Sequence, residues 1–209
     1  MEYFKRMNKQ ARAAGDFPAS SVLLRTGSPC TIRRVHLDDA EAILAMDTLL
    51  IDAGTGEVRG TCDLPKNVEE QREALIVFTE LMAHKNGVRL VAVNPEGEFL
   101  GSGEALRFPP ARLRHVAELS MGVSPRFQGQ GVGRALLHRL IEWCLSGPGT
   151  LEPAIQRIQL QTRKDNPRAI HLYTSMGFIP EGEMRNFVRL TDGTLIGNLL
   201  MRYAPKTEE

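Results

Sequence analysis

The chain has 209 residues, 42% of them hydrophobic and 24% charged, with a formal net charge of +1. That length suits one packed α/β domain with an appendage, and so small a charge gives no whole-protein field to gather nucleic acid or an acidic membrane. With no apolar run of membrane-spanning length, and a start (MEYFKRMNKQ) lacking the apolar core of a secretory signal, a cytoplasmic protein without nucleic-acid or membrane partners is expected.

Residues 1–30 are basic and irregular: Lys5, Arg6, Lys9, Arg12 and Arg25 stand against Glu2 and Asp16. Tyr3, Phe4, Met7 and Ala11 fall on one apolar helical stripe, so this part reads as an arm that docks on the body or on a second subunit. A single domain follows over residues 31–205. Thr31 to Val35 is its first strand, and Asp38 with Glu41 forms a capping box for a helix burying Ile43, Leu44, Met46, Leu49 and Leu50. After an irregular stretch from Asp52 to Pro65, Asn67 and Glu70 cap a second helix with Leu75, Phe78, Leu81 and Met82 inward.

Strands over Arg89 to Val93 and Phe99 to Phe108 flank a turn marked by Pro95 and Gly97, and Pro109-Pro110 ends the second of them. A strand over Glu118 to Val123 breaks at Ser124-Pro125. It leads through a glycine-rich loop into a helix carrying Val132, Leu136, Leu137 and Leu140 on one face. Ile158 to Gln161 returns parallel to that strand by a right-handed crossover. Asn166 to Met176 is a helix with Asn at its cap, Pro at its first position and Gly177 beyond its end. Met184 to Leu190 and Leu195 to Tyr203 close the chain as a hairpin on Asp192-Gly193.

The loop before the central helix carries the chemistry. N–H groups of a first helical turn have no intrahelical acceptor, and the helix dipole adds positive charge there, so a phosphate is a natural partner. Gly129, Gly131 and Gly133 lack Cβ, which permits φ > 0 and close approach of the main chain, and Arg126 and Arg134 flank the turn. A dinucleotide fingerprint fails because Arg134 stands where a third glycine belongs, and the Gly-Lys-Ser/Thr ending of a P-loop is absent. What remains is Gln128-x-x-Gly131-x-Gly133. Cys30, Cys62 and Cys144 are far apart and without histidines at ligand spacing, so neither a disulfide framework nor a metal site is indicated.

The Gln128-x-x-Gly131-x-Gly133 spacing resembles the acyl-CoA signature of the GNAT N-acetyltransferase superfamily. Asn166-Pro-Arg-Ala169-Ile-His-Leu172-Tyr173, followed by Gly177-Phe178, is similar to that superfamily's second CoA-side motif, and the element order agrees over Thr31 to Tyr203. The resemblance implies an α/β (α+β) fold with a mixed, mostly antiparallel sheet in the order β-α-α-β-β-β-α-β-α-β-β. Its fourth and fifth strands are parallel and splay apart beyond Val123. The implied cosubstrate is acetyl-CoA, with pantetheine on the Met121 and Val123 main chain and the pyrophosphate on Gln128, Gly129, Gln130, Gly131, Val132, Gly133 and Arg134. Asn166, Ala169 and Tyr173 complete that side.

Acetyl transfer needs a neutral amine attacking a thioester. A lysine-like amine is neutral in only about one molecule in 10³ at pH 7, so a positioned base is required. Glu118 is the candidate, directly or through water, because it shares a strand face with Ser120 and Gly122. His115 is the alternative. Tyr173 is the expected acid for the leaving thiolate.

The acceptor, a small-molecule or protein amine, is expected against the Asp52 to Pro65 segment, the Arg107 to His115 loop and the last hairpin. Many members with this tail carry an acidic residue at the position of Gly197, and its absence weighs against a polyamine; Glu181, Glu183 and Asp192 remain as amine anchors. Two functions stay open: an acetyl-CoA-dependent N-acetyltransferase, and an acyl-CoA-binding sensor or scaffold without turnover. The edge of the last hairpin is open to a second copy, which makes a homodimer an expected partner arrangement.

Overall fold

The computed structural model describes residues 17–54, 58–83, 86–146 and 154–204. The stripe at Tyr3, Phe4, Met7 and Ala11 lies outside these residues, as do the side chains of Leu81 and Met82. Eight strands form one sheet in the spatial order β1-β2-β3-β4-β5-β6-β8-β7. In chain order they are β1 (Ser20–Leu23), β2 (Pro29–Arg34), β3 (Gly87–Val93), β4 (Phe99–Arg107), β5 (Val116–Val123), β6 (Arg157–Arg163), β7 (Phe178–Arg189) and β8 (Leu195–Tyr203). Among the described residues four α-helices accompany them: α1 (Ala40–Asp52), α2 (Val68–Ala83), α3 (Val132–Ser146) and α4 (Pro167–Ser175). Only β5 and β6 run parallel.

The sheet is covered on both faces, which is why β3 (GVRLVAV) is apolar at nearly every position. On one side Leu136, Leu137, Leu140 and Trp143 of α3 pack with Leu90, Leu100 and Leu119 around the larger core. On the other, Ile43 of α1 and Leu75 of α2 pack with Val35 and Val91. Gly101 and Gly103 on β4 lie beneath α3. A Cβ at Gly103 would stand 2.9 Å from Leu140 Cδ1, and one at Gly101 would stand 3.4 Å from Leu136 Cδ1.

Several expectations are corrected. Residues before Thr31 are not all irregular: Ser20–Leu23 adds an antiparallel edge strand to β2. Ser-Ser-Val-Leu is too short for a period to show, and its pairing is tertiary. On α1 the buried residues are Ala40, Ile43, Met46, Asp47 and Leu50, whereas Leu44 is half-buried and Leu49 is 49% exposed. The N-terminal box forms two residues earlier than expected, where Asp39 Oδ2 accepts the His36 N–H at 2.7 Å while Asp39 also pairs with Arg33. At α2, Asn67 Oδ1 accepts the Glu70 N–H at 3.0 Å, and Glu70 reaches back to the N–H of Lys66 rather than of Asn67.

The last hairpin begins six residues earlier than expected, at Phe178. Pro180-Glu181-Gly182 carries two residues that disfavour a strand interior. In the fold it sits on an edge strand, where proline's missing N–H is tolerated and register slips at Pro180/Gly182 and Met184/Val188 absorb the irregularity.

Candidate active site

The sheet opens at its one parallel junction. β5 and β6 are paired from Val116/Arg157 to Leu119/Leu160, and there the ladder ends. β5 continues to Val123 against β4, while β6 continues to Arg163 against β8. The split thus starts after Leu119, four residues before the expected point. Among the described residues no strand lines that edge of residues 120–123, and a cavity of about 940 Å³ fills the opening.

One end of the cavity is the glycine loop. Gly129 and Gly131 have φ of +77° and +106°, conformations that side-chain-bearing residues rarely adopt. Gly133 is different: it is helical, and a Cβ there would stand 3.0 Å from Met121 Cε and 3.2 Å from Leu172 Cδ2. Its role is close packing of α3 against β5 and α4, not a left-handed turn. The first bond of α3 runs from the Ala135 N–H to Gly131 O, which leaves the N–H groups of Val132, Gly133 and Arg134 without intrahelical acceptors.

Gln128, Gly129, Gly131, Gly133 and Arg134 line this end, as do Met121 and Val123 from the split strand. Gln130 and Val132 do not. The Gln130 side chain donates to Arg126 O at 3.0 Å, and Val132 is buried in the core. Gln128 ties the loop together, donating to Val123 O at 3.1 Å and accepting from Arg168 at 2.6 Å. Arg134 bonds Ser175 Oγ at 2.7 Å, and Arg126 pairs with Glu98.

On α4, Asn166 caps the helix through the Ala169 N–H at 3.1 Å, with Pro167 first and Gly177 (φ +94°) beyond the end, as the sequence indicates. This turn places Asn166, Ala169 and Tyr173 on the cavity wall. Tyr173 is buried, with its ring centroid 6.1 Å from that of Phe178, and burial pushes its phenol up to about 12. Its hydroxyl has no hydrogen bond among the described residues.

The opposite end faces α1, with Leu50 at the Cβ-less Gly122. Glu118, Ser120 and Gly122 share this face, as the alternation requires. Glu118 Oε1 accepts from Gln161 Nε2 at 2.9 Å, and Gln161 Oε1 accepts from Asn198 Nδ2 at 3.0 Å. Beside them Ser120 Oγ donates to Glu104, which lies 3.8 Å from Arg89. Arg163, also on the wall, holds Asp165 at 2.6 Å and keeps that carboxyl below the usual range.

Several proposed acceptor-side residues lie elsewhere. His115 is not on the cavity wall, whereas His171 is. Glu181 is bound by Arg157 and Arg202, and Asp192 accepts the Thr194 N–H in the hairpin turn. Glu183 folds over Gly197, its Oε1 lying 2.5 Å from where a Cβ would stand, and is paired with Lys164 at 2.9 Å. An acid does stand over Gly197, but it comes from β7 and is neutralised. Gly54 and Val58 represent the irregular segment on the wall, and none of Arg107 to His115 reaches it.

Among the wall residues that escape a reading by motif are Arg25, Arg168, Gln161 and Asn198. Arg168 stands inside the second motif and could have been found there. The strand alternation that selects Glu118 also selects Gln161. Arg25 and Asn198 come from segments whose pairing the sequence does not announce. Among the described residues no helix is long and apolar enough to cross a membrane.

Residues 56–178 match the Acetyltransferase (GNAT) family. The chain is 28% identical over 174 residues to a phosphinothricin N-acetyltransferase of Alcaligenes faecalis, covering 83% of this chain and 81% of that one. It is 31% identical over 136 residues to the [ribosomal protein bS18]-alanine N-acetyltransferase of Escherichia coli K12, covering 64% and 86%. The crystal structure of a GNAT-family acetyltransferase from Streptococcus pneumoniae superposes with a TM-score of 0.72 at 25% identity, over 83% of this chain and 98% of that one. A glycine cradle at a helix start, a parallel pair that parts beside it and a match spanning more than half the chain agree: the protein belongs to the acetyltransferase (GNAT) family and is an N-acetyltransferase that uses acetyl-CoA.

Proposed function

We propose that the protein transfers the acetyl group to a primary amine of a small molecule or protein by direct attack within a ternary complex. The observation that carries this reading is the split after Leu119, which joins a phosphate-binding end to a carboxylate-bearing end through one cavity. The residues present fit the cosubstrate: an α3 start with open N–H groups, two glycines in left-handed conformations, and Arg25 and Arg168 beside them. Acetyl-CoA supplies the acetyl group as a thioester and departs as the thiol.

Residues 120–123 offer main-chain groups to the pantetheine arm, with Met121 and Val123 as its partners and the Val123 N–H toward the thioester carbonyl. Gln128 to Arg134 receive the pyrophosphate, assisted by the α4 start at Asn166 and Ala169. Glu118, held by Gln161, takes the proton of the attacking amine, directly or through one water. Tyr173 keeps its proton across the neutral range because it is buried, and gives it to the departing sulfur. The same dry surroundings raise the thiol's proton affinity, which favours that transfer.

Two relatives are named for N-acetylation of phosphinothricin and of a ribosomal-protein alanine, which supports an amine acceptor. Glu104 and Glu118 at the acceptor end suit a group that arrives as a cation. The exposed Ile179 (42%) on edge strand β7 supports pairing of two copies, which sedimentation velocity would test, whereas the exposed Phe187 lines the cavity.

The experiment for the reaction is thiol release from acetyl-CoA across a panel of amino acids, polyamines, aminoglycosides and peptides, read with a thiol-trapping dye. Amine-dependent release with intersecting initial-velocity lines is expected. Parallel lines would indicate a covalent acetyl-enzyme route instead.

A further inference from the structure

One polar group at the acceptor end has no role in that chemistry. Asn198 on β8 is 3% exposed and lines the cavity, yet its Oδ1 has no hydrogen-bond partner among the described residues. Buried amide oxygens are ordinarily bonded, so one left without a partner on a cavity-lining residue points to a donor that the ligand brings.

The orientation of that oxygen follows from its neighbours. A carboxylate accepts hydrogen bonds and does not donate them, so Gln161 meets Glu118 with its Nε2 at 2.9 Å. Gln161 Oε1 therefore turns toward β8, where it needs a donor and finds Asn198 Nδ2 at 3.0 Å. Two amides in series fix which end of Asn198 is which, and the end left over is an acceptor. Strand register places the three residues on one face, since Gln161 stands opposite Leu200 and Arg163 opposite Asn198. The row crosses two strand spacings, about 10 Å from β5 to β8. Arg163, the cation adjacent to Asn198, bonds Asp165 through both Nε and Nη2.

We propose that Asn198 is a specificity-determining residue and that the acceptor is a primary amine carrying a second N–H or O–H donor. Asn198 Oδ1 receives that second donor while the reacting nitrogen lies at Glu118. This inference rests on reading the cavity as an acetyl-transfer site. A short diamine and a peptide N-terminus share the required chemistry, a nucleophilic nitrogen with a further donor a few bonds away.

The test compares 1,6-diaminohexane, an alanine-headed tripeptide and heptylamine, which lacks the second donor, in kcat/KM with the wild-type protein and Asn198→Leu. For the wild type, at least one donor-bearing acceptor is expected to exceed heptylamine by about tenfold or more, and which of the two does so identifies the source. In Asn198→Leu that ratio falls toward one while acetyl-CoA affinity by calorimetry is unchanged. Taking the ratio to heptylamine cancels any effect passed through Gln161 to Glu118, because that effect is common to all acceptors. An unchanged ratio in the variant, or a wild-type ratio near one, overturns the inference while leaving acetyl transfer intact. If Asn198→Leu does not fold, the wild-type ratio decides. A protein that binds CoA but acetylates none of the three overturns the transfer reading and this inference together.

Discussion

Arg25 donates from Nε and Nη2 to the carbonyl oxygen of Gly129, at 3.1 and 2.5 Å, while its own N–H bonds Gln130 O at 2.9 Å. A residue ahead of the family-matched segment thus braces the loop that faces the cavity and sets a cation beside it. Arg25→Ala is expected to weaken CoA binding by about tenfold, near 1.4 kcal/mol, with kcat at saturation unchanged. Calorimetric titration with CoA measures it, and equal affinities would show that the brace has no bearing on the ligand.

Gly131 has φ +106°, and a Cβ there would stand 3.1 Å from the Arg25 nitrogen. Gly131→Ala strains the turn by about 1–3 kcal/mol and pushes the loop off Arg25. A tenfold or greater loss of CoA affinity is expected, beside a control at Gly182, where a Cβ meets nothing within 4 Å. Similar affinities for the two variants would remove the loop from the binding site.

Tyr173→Phe keeps the ring against Phe178 and removes only the hydroxyl. Turnover is expected to fall by about 10- to 10³-fold with little change in acetyl-CoA affinity. Unaltered kcat would assign the protonation of the thiolate to another group.

Much of this site was legible because its parts are local. The glycine loop, the Asn166 cap and the Glu118 alternation each depend on residues within one turn or one strand, so their patterns survive in the sequence. Arg25 became visible only when β1 was seen to pair with β2, a contact set by tertiary packing rather than by the period of four residues. Asn198 is silent in the same way: its meaning arises from Gln161 on β6, 37 positions away in the chain. The onset of the split was misplaced because it depends on where β6 leaves β5 for β8, a competition between partners that neither strand encodes alone.

Burial pushes the Cys144 thiol and the Tyr173 phenol up to about 12, from ordinary values of 9.0 and 10.0. Both groups stay protonated in the fold after the unfolded chain has begun to lose those protons. Their contribution to stability is complete below the ordinary values and declines as pH rises from 9 for Cys144 and from 10 for Tyr173. The slope is up to about 1.4 kcal/mol per pH unit for each group. Urea unfolding between pH 8 and 11 measures this, and Cys144→Ala should reduce the part that begins near pH 9, the remainder coming from the Cys30 thiol, which burial also raises. A variant whose alkaline decline matched the wild type would place the titrating groups elsewhere.

The bare surface at Gly101 and Gly103 acts as a seat for α3. A methyl at Gly103 would stand 2.9 Å from Leu140 Cδ1, so that buried side chain, about 12 Å along the helix from the open amide end, would have to give way for α3 to keep its line with the opening in the sheet. The seating of α3 thus leans on Gly103, a residue that offers no side-chain atom to any ligand, and a change there is felt first in the packing under the helix.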